Sequence, residues 1–235
     1  MTTLKHERLI VAGKDITDAG TRWLEERIVK AIQERGVAII GLSGGSTPGP
    51  IYEKLGQSNA IDFTKCYAFM VDERHIAEDH KDSNTLLLRN TLLKGGKFLE
   101  ENLVRPNTSL PIDQTIRDYD TKMRELFKKG NPDIVCLGLG PDGHLASIFP
   151  PANIDAANRE DAYVLHTTTE KFAVFDRITV NFIVIRKGRE QVFFMKGADK
   201  VKVWDEMIGQ PNHHERWPAQ KVIEDGHTTL IASTD

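Results

Sequence analysis

Asp142 and His144 are the residues of this 235-residue chain whose types and spacing most directly offer chemistry. They lie in Gly138-Leu139-Gly140-Pro141-Asp142-Gly143-His144, where glycines and a proline dictate a turn. A carboxylate two residues before an imidazole can fix its tautomer and raise its basicity, which makes a general base. The run also spells GxGxxG after an apolar stretch, the pattern of a dinucleotide loop. That reading fails: Asp142 inside the turn would repel a pyrophosphate, the run lies mid-chain, and Pro150-Pro151 limits any helix that follows.

Two more polar loops follow apolar runs. In Ser43-Gly44-Gly45-Ser46-Thr47-Pro48, backbone N–H groups, hydroxyls and the start of a helix can gather around an anion, which suits a phosphate. It is not a Walker A loop, because no Gly-Lys-Ser/Thr follows at the required spacing. Val71-Asp72-Glu73-Arg74-His75 puts four ionisable groups at the end of an apolar run, with Asp82-Ser83-Asn84 shortly after. Arg74 suits a carboxylate, a phosphate or a developing oxyanion. Arg177, before the apolar run 178–185, and Lys200, in the first turn of an expected helix, are two further cations. His213-His214 has no third ligand at useful spacing and reads as an exposed loop pair, not a metal site.

These loops need a scaffold, and the hydrophobic pattern supplies one. Residues 18–34 carry Trp23, Ile28, Val29 and Ile32 at near-helical spacing, with Gly36 as a stop. Residues 37–42 form a short apolar run expected of a strand buried on both faces, and Pro48 opens the next helix. Residues 66–71 and 133–137 predict two more strands; Asp82 or Ser83 is expected to cap a helix through Leu93. A helix over 112–129 gathers Ile112, Ile116, Tyr119, Met123, Leu126 and Phe127 on one face. Further extended runs cover 163–167, 192–195 and 229–232. This alternation predicts an α/β fold with a mostly parallel sheet covered on both sides, and ligands outside the carboxyl ends of its strands.

Composition bounds the partners. Lys plus Arg number 31 against 34 Asp plus Glu, a net charge of -3, which argues against a general nucleic-acid binder. Cys66 and Cys136 each sit in an apolar run with no CxxC or Cys/His spacing, so two buried thiols are expected, without disulfide or zinc. The first residues show no apolar leader core, and no run approaches the roughly 18 apolar residues of a membrane span. No repeat or linker divides the chain. The expectation is one cytoplasmic domain over residues 1–235, with no membrane partner.

Together the segments resemble the 6-phosphogluconolactonase family, relatives of the glucosamine-6-phosphate deaminases. The matching stretches are Ser43 to Pro48, Asp72-Glu73-Arg74 with Ser83-Asn84, Gly138 through Pro150, Arg177-Ile178-Thr179 and Gly197-Ala198-Asp199-Lys200, all in order. The resemblance implies a Rossmann-like three-layer sandwich of the NagB/RpiA/CoA transferase-like class, acting on 6-phospho-D-glucono-1,5-lactone without metal or cofactor, as a monomer or homodimer. It further implies a phosphate site of Ser43, Gly44, Gly45, Ser46, Thr47, Arg177 and Lys200. His144 would take a proton from the attacking water, Asp142 would orient the ring, Arg74 would stabilise the oxyanion, and Asp72 and Asn84 would contact the sugar. Trp217-Pro218 departs from the Leu-Pro expected there, and residues 212–215 are unusually polar.

Two other functions resemble this pattern in part. Deaminases continue after the histidine with a Phe-Asn-Glu-type segment whose glutamate takes part in the chemistry; here Ser147-Ile148-Phe149 stands there, and phenylalanine cannot exchange a proton. They also typically carry an aromatic residue where this chain has Arg74. A non-catalytic sugar-phosphate sensor would keep the phosphate loop and dispense with the base, whereas Asp142 and His144 are both present, and no DNA-binding segment precedes the first loop.

Overall fold

The computed structural model describes residues 4–235. In chain order its elements are β1 (Glu7–Ile10), α1 (Ile16–Arg35), β2 (Ala38–Leu42), α2 (Pro48–Leu55), β3 (Cys66–Met70), β4 (Asp72–Arg74), α3 (Asn84–Arg89), β5 (Leu103–Val104) and α4 (Ile112–Phe127). They continue with β6 (Ile134–Leu137), α5 (Ile154–Ala157), β7 (Val164–Thr168), β8 (Asp176–Val180), α6 (Phe182–Arg186), β9 (Glu190–Lys196), α7 (Ala198–Gly209), α8 (Gln220–Ile223) and β10 (Thr228–Ser233).

Seven strands form one parallel sheet in the order β1-β10-β9-β6-β2-β3-β5. Every residue of β2, β6 and β10 is buried, which requires cover on both faces of the sheet. That is why β2 and β6 read as continuous apolar runs, and β10 does so over residues 230–232. The expected α/β layering is therefore present. From β2 the chain works outward through β3 to β5, and from β6 it works the other way through β9 to β10. The sheet thus reverses direction between β2 and β6, the place where such sheets hold ligands.

Several expectations need correction. Residues 163–167 are extended, yet β7 is not in the parallel sheet; it pairs antiparallel with β8, which pairs antiparallel with β4, in a separate small sheet. The segment after β3 is accordingly a strand, not a loop, with Arg74 opposite Arg177 in the ladder. The apolar run 178–185 splits at Asn181, whose side chain caps α6 by accepting from Val184 N at 2.9 Å. Ser83 caps α3 as expected, but the helix ends at Arg89: Leu93 N donates back to Leu88 O at 3.0 Å, and turns replace the last helical turn. β1 was not among the expected strands; all four of its residues, Leu9 and Ile10 included, are exposed at the sheet edge.

The buried hydroxyl of Tyr119 on α4 braces the carboxyl end of β3, accepting from Met70 N at 2.9 Å and donating to Met70 O at 2.6 Å. Cys66 and Cys136 are both buried and free, and burial pushes each thiol up to about 12. No helix among the described residues is long and apolar enough to cross a membrane.

Candidate active site

Four adjacent strands, β9, β6, β2 and β3, end on the same side, and the segment after each carries the chemistry-bearing residues. Ser43 follows β2, Asp72 follows β3 by one residue, Gly138 follows β6, and Gly197 follows β9. Between them lies a cavity of about 210 Å³. Residues 43–48, Asp72, Arg74, Asn84, residues 138–141, His144, Ala146, Phe194 and Lys200 line it.

On the phosphate-type side, Tyr52 OH donates to Ser43 O at 3.2 Å and fixes the start of the loop. Ser43 Oγ is buried and has no protein partner, so it is a donor available to a ligand. Lys200 Nζ stands 3.5 Å from Thr47 Oγ1, bringing an ammonium from α7 to the same loop. Across the cavity Arg74 Nη1 donates to Asp82 O at 2.5 Å, while its buried Nε is likewise without a protein partner.

Arg74 and Asn84 are held by a buried acid that the sequence did not single out. Glu73 is 1% exposed; its Oε1 accepts from Arg74 N at 2.7 Å and Asn84 N at 2.8 Å. Its Oε2 accepts from Ser83 Oγ at 3.1 Å, Thr85 N at 2.8 Å and Thr85 Oγ1 at 2.9 Å. Burial raises the Glu73 carboxyl, although these donors pull the other way. Asn84 Nδ2 in turn donates to Asp72 O at 2.9 Å. Glu73 thereby staples β4 to the start of α3.

On the third side His144 Nδ1 and Asp142 Oδ1 are 2.5 Å apart, and His144 N also points at Oδ1 at 3.3 Å. Lys171 Nζ reaches the other carboxylate oxygen at 3.3 Å. Burial alone would raise the Asp142 carboxyl, but the His144 hydrogen bond and charge, with Lys171, hold it well below the usual carboxylate range. It is therefore ionised and oriented toward the ring. Phe149 and Phe172 pack on His144 with centroids 5.0 and 5.3 Å away, restricting its rotation. An oriented imidazole, a set of anion donors and an arginine now face one cavity, the parts needed for attack by water on an activated carbonyl.

Residues 12–231 match the family described as glucosamine-6-phosphate isomerases/6-phosphogluconolactonase. The chain belongs to that family. A Dictyostelium discoideum relative named "Probable 6-phosphogluconolactonase" is 45% identical over 217 residues, covering 91% of this chain and 92% of that protein. A Synechocystis sp. 6-phosphogluconolactonase is 32% identical over 206 residues, covering 85% and 83% respectively. Among solved structures, a Plasmodium vivax 6-phosphogluconolactonase superposes with a TM-score of 0.87 at 28% identity, over 100% of this chain and 92% of that one. The NagB/RpiA-like fold implied by the sequence is thus the fold found.

Against the residues this family's pattern suggested, the cavity gathers Ser43, Gly44, Gly45, Ser46, Thr47, Asp72, Arg74, Asn84, His144 and Lys200. Asp142 does not line it and reaches it only through His144. Arg177 does not line it either: it is 6% exposed, donates from Nε to Val174 O at 2.9 Å, and sits opposite Arg74 in the β4–β8 ladder. Burial, then the Arg74 charge, lowers its guanidinium from the ordinary value. Of the histidine pair, His213 is exposed but His214 is half-buried and 2.5 Å from Glu224 Oε1. Sequence reasoning named Glu73 and Ser147 only as parts of motifs, with no role, and did not name Lys171. Most of the partners that give them a role lie on other segments of the chain.

Proposed function

We propose that this chain hydrolyses 6-phospho-D-glucono-1,5-lactone to 6-phospho-D-gluconate. The observation that carries the reading is the 2.5 Å contact of His144 Nδ1 with an ionised Asp142, set across the cavity from the unpartnered donors of Ser43 and Arg74. With Nδ1 engaged, Nε2 is the ring nitrogen free to take a proton from water.

In the reaction proposed, residues 43–47 and Lys200 hold the substrate phosphate, and Arg177 adds positive charge behind Arg74. Asp72 and Asn84 face sugar hydroxyls. His144 removes a proton from water as its oxygen bonds to the lactone carbonyl carbon, and Asp142 stabilises the imidazolium that results. The carbonyl oxygen becomes an oxyanion beside Arg74. Collapse of the tetrahedral species breaks the bond to the ring oxygen, which takes the proton back from His144. The products are a hydroxyl and the open carboxylic acid, which releases its remaining water-derived proton to solvent to become the carboxylate.

The deaminase alternative needs an acid/base group where Phe149 stands, and the Phe149 ring packs 5.0 Å from His144 instead. The curated relatives named as 6-phosphogluconolactonases support the lactone. We read residues 1–235 as one domain, because both sheets contribute to one buried core, and as a monomer or homodimer. A cytoplasmic setting fits the two free, buried thiols.

The test is to generate the lactone in situ and follow its opening, with glucosamine 6-phosphate and ammonia release assayed in parallel. Opening well above the spontaneous rate without ammonia release is expected, and His144→Ala should abolish it while ligand binding survives. Ammonia from the amino sugar, or an undiminished His144→Ala variant, would overturn the reading.

A further inference from the structure

We propose that Arg216 is a positioning residue for the Asp142–His144 pair, acting through the backbone carbonyl of Asp142. The proposal rests on the reading of His144 as the base. Inside the turn, Gly143 N donates to Gly140 O and Gly140 N donates to His144 O, each at 2.9 Å. Those bonds close the turn but leave the Asp142 carbonyl facing outward. Arg216 Nη1 donates to it at 2.6 Å, across 74 positions of sequence.

Arg216 is exposed, and an exposed arginine ordinarily samples many rotamers. Here its guanidinium lies over the Trp217 ring, with Cζ 3.8 Å from the centroid. Trp217 is fully buried, and its Nε1 donates to Gln210 Oε1 at 3.2 Å. Gly143 has φ +86°, in the region that favours glycine, and a Cβ there would strike both Arg216 Nη1 and the Trp217 ring. The turn, the guanidinium and the indole are therefore stacked with no room between them.

The same segment is tied down on both sides. Ala152 N donates to Glu215 O at 2.8 Å, and His213 N donates to Gln220 Oε1 at 2.9 Å. Asp142 has to divide its carboxylate between His144 and Lys171, so a small rotation of its backbone would favour one partner over the other. Arg216 fixes that rotation. The tryptophan at position 217, where the sequence pattern led one to expect leucine, supplies the flat π face that a leucine lacks. The unusual stretch before Pro218 thereby bears on the histidine loop, although neither Arg216 nor Trp217 lines the cavity.

The experiment compares wild type, Arg216→Met, Arg216→Lys and Trp217→Leu in the full chain. Kinetics use the lactone, thermal midpoints are recorded, and the His144 ring Cε1–H signal is followed by NMR, identified by its loss in His144→Ala. Arg216→Met is expected to lower kcat about tenfold with KM within about twofold, since a misplaced base costs the transition state more than binding. Its thermal midpoint should stay within about 2 °C of wild type, as for a surface change. The ring signal should move in Arg216→Met and return toward wild type, with part of kcat, in Arg216→Lys. Trp217→Leu should move the signal in the same direction. An unmoved signal with kcat within about twofold overturns the proposal, as does a loss of kcat that follows the thermal midpoint and is not recovered by lysine. If His144→Ala stays active, the base assignment fails instead, and the ring signal still decides whether Arg216 positions the imidazole.

Discussion

The Ser147 hydroxyl donates to Asp72 Oδ2 at 2.8 Å and joins segments 75 positions apart in sequence. Ser147 N also points at Thr179 Oγ1 at 3.3 Å, and Thr167 Oγ1 donates to Ser147 O at 2.6 Å. One buried serine thus ties the end of the histidine loop to all three strands of the small sheet. Ser147→Ala removes the side-chain donor given to a carboxylate that is only 9% exposed. The expected cost is about 1–3 kcal/mol, read from urea unfolding, with a fall in kcat/KM as the two walls of the cavity lose their registration. Unchanged stability would mean that water replaces the hydroxyl without loss.

Glu73 invites a sharper substitution. Its two oxygens accept from five donors, three on the backbone and two on side chains, so every contact uses the acceptor-only character of a carboxylate. Glu73→Gln keeps the volume but turns one acceptor into an NH2 facing donors. Destabilisation of about 1–3 kcal/mol is expected by urea unfolding, accompanied by a higher KM because Arg74 and Asn84 lose their common anchor. A stability equal to wild type would show that the staple is redundant.

The loops after β2 and β6, the dyad and the parallel strands were legible because each is a local pattern. Glycines, hydroxyls and an Asp-x-His spacing lie within a few residues, and a strand buried on both faces reads as an unbroken apolar run. What the sequence hid is pairing between distant segments. Nothing local in Asp72-Glu73-Arg74 says that it joins residues 176–180 in an antiparallel ladder. Nothing near Lys171 says that its ammonium will reach Asp142. Arg177 shows the cost: its motif was visible, but its place behind Arg74 depends on that ladder.

Asp142 sets an acid limit on stability. Its folded-state carboxyl lies below the ordinary value, so its contribution is fully present above the unfolded value of about 4 and is lost as pH falls through the folded one. Asp142→Asn removes the titration. The stability difference between wild type and Asp142→Asn is therefore expected to shrink as pH drops below about 4. Urea unfolding of both proteins between neutral and strongly acid pH measures it. A difference independent of pH would show that the His144 and Lys171 contacts do not hold the carboxylate ionised.

Gly44 marks the closest approach between the phosphate-type loop and the other wall. A Cβ built there would overlap the Asn84 carboxamide, so residue 44 has no side chain because Asn84 already fills that space. Asn84 cannot retreat, since its Nδ2 donates to Asp72 O and its own N–H is held by Glu73. Gly44→Ala must therefore displace either the loop or Asn84. Displacing the loop would disturb the donors proposed to hold phosphate, and displacing Asn84 would disturb the contacts proposed for the sugar. In both cases kcat/KM is expected to fall by about tenfold or more, in line with the cost of a misplacement near 1 Å. The two cases separate by ligand binding: a shifted loop weakens inorganic phosphate as a competitive inhibitor, whereas a shifted Asn84 leaves phosphate inhibition intact and weakens the lactone alone. Wild-type kcat/KM in Gly44→Ala would show that this contact yields without reaching the substrate.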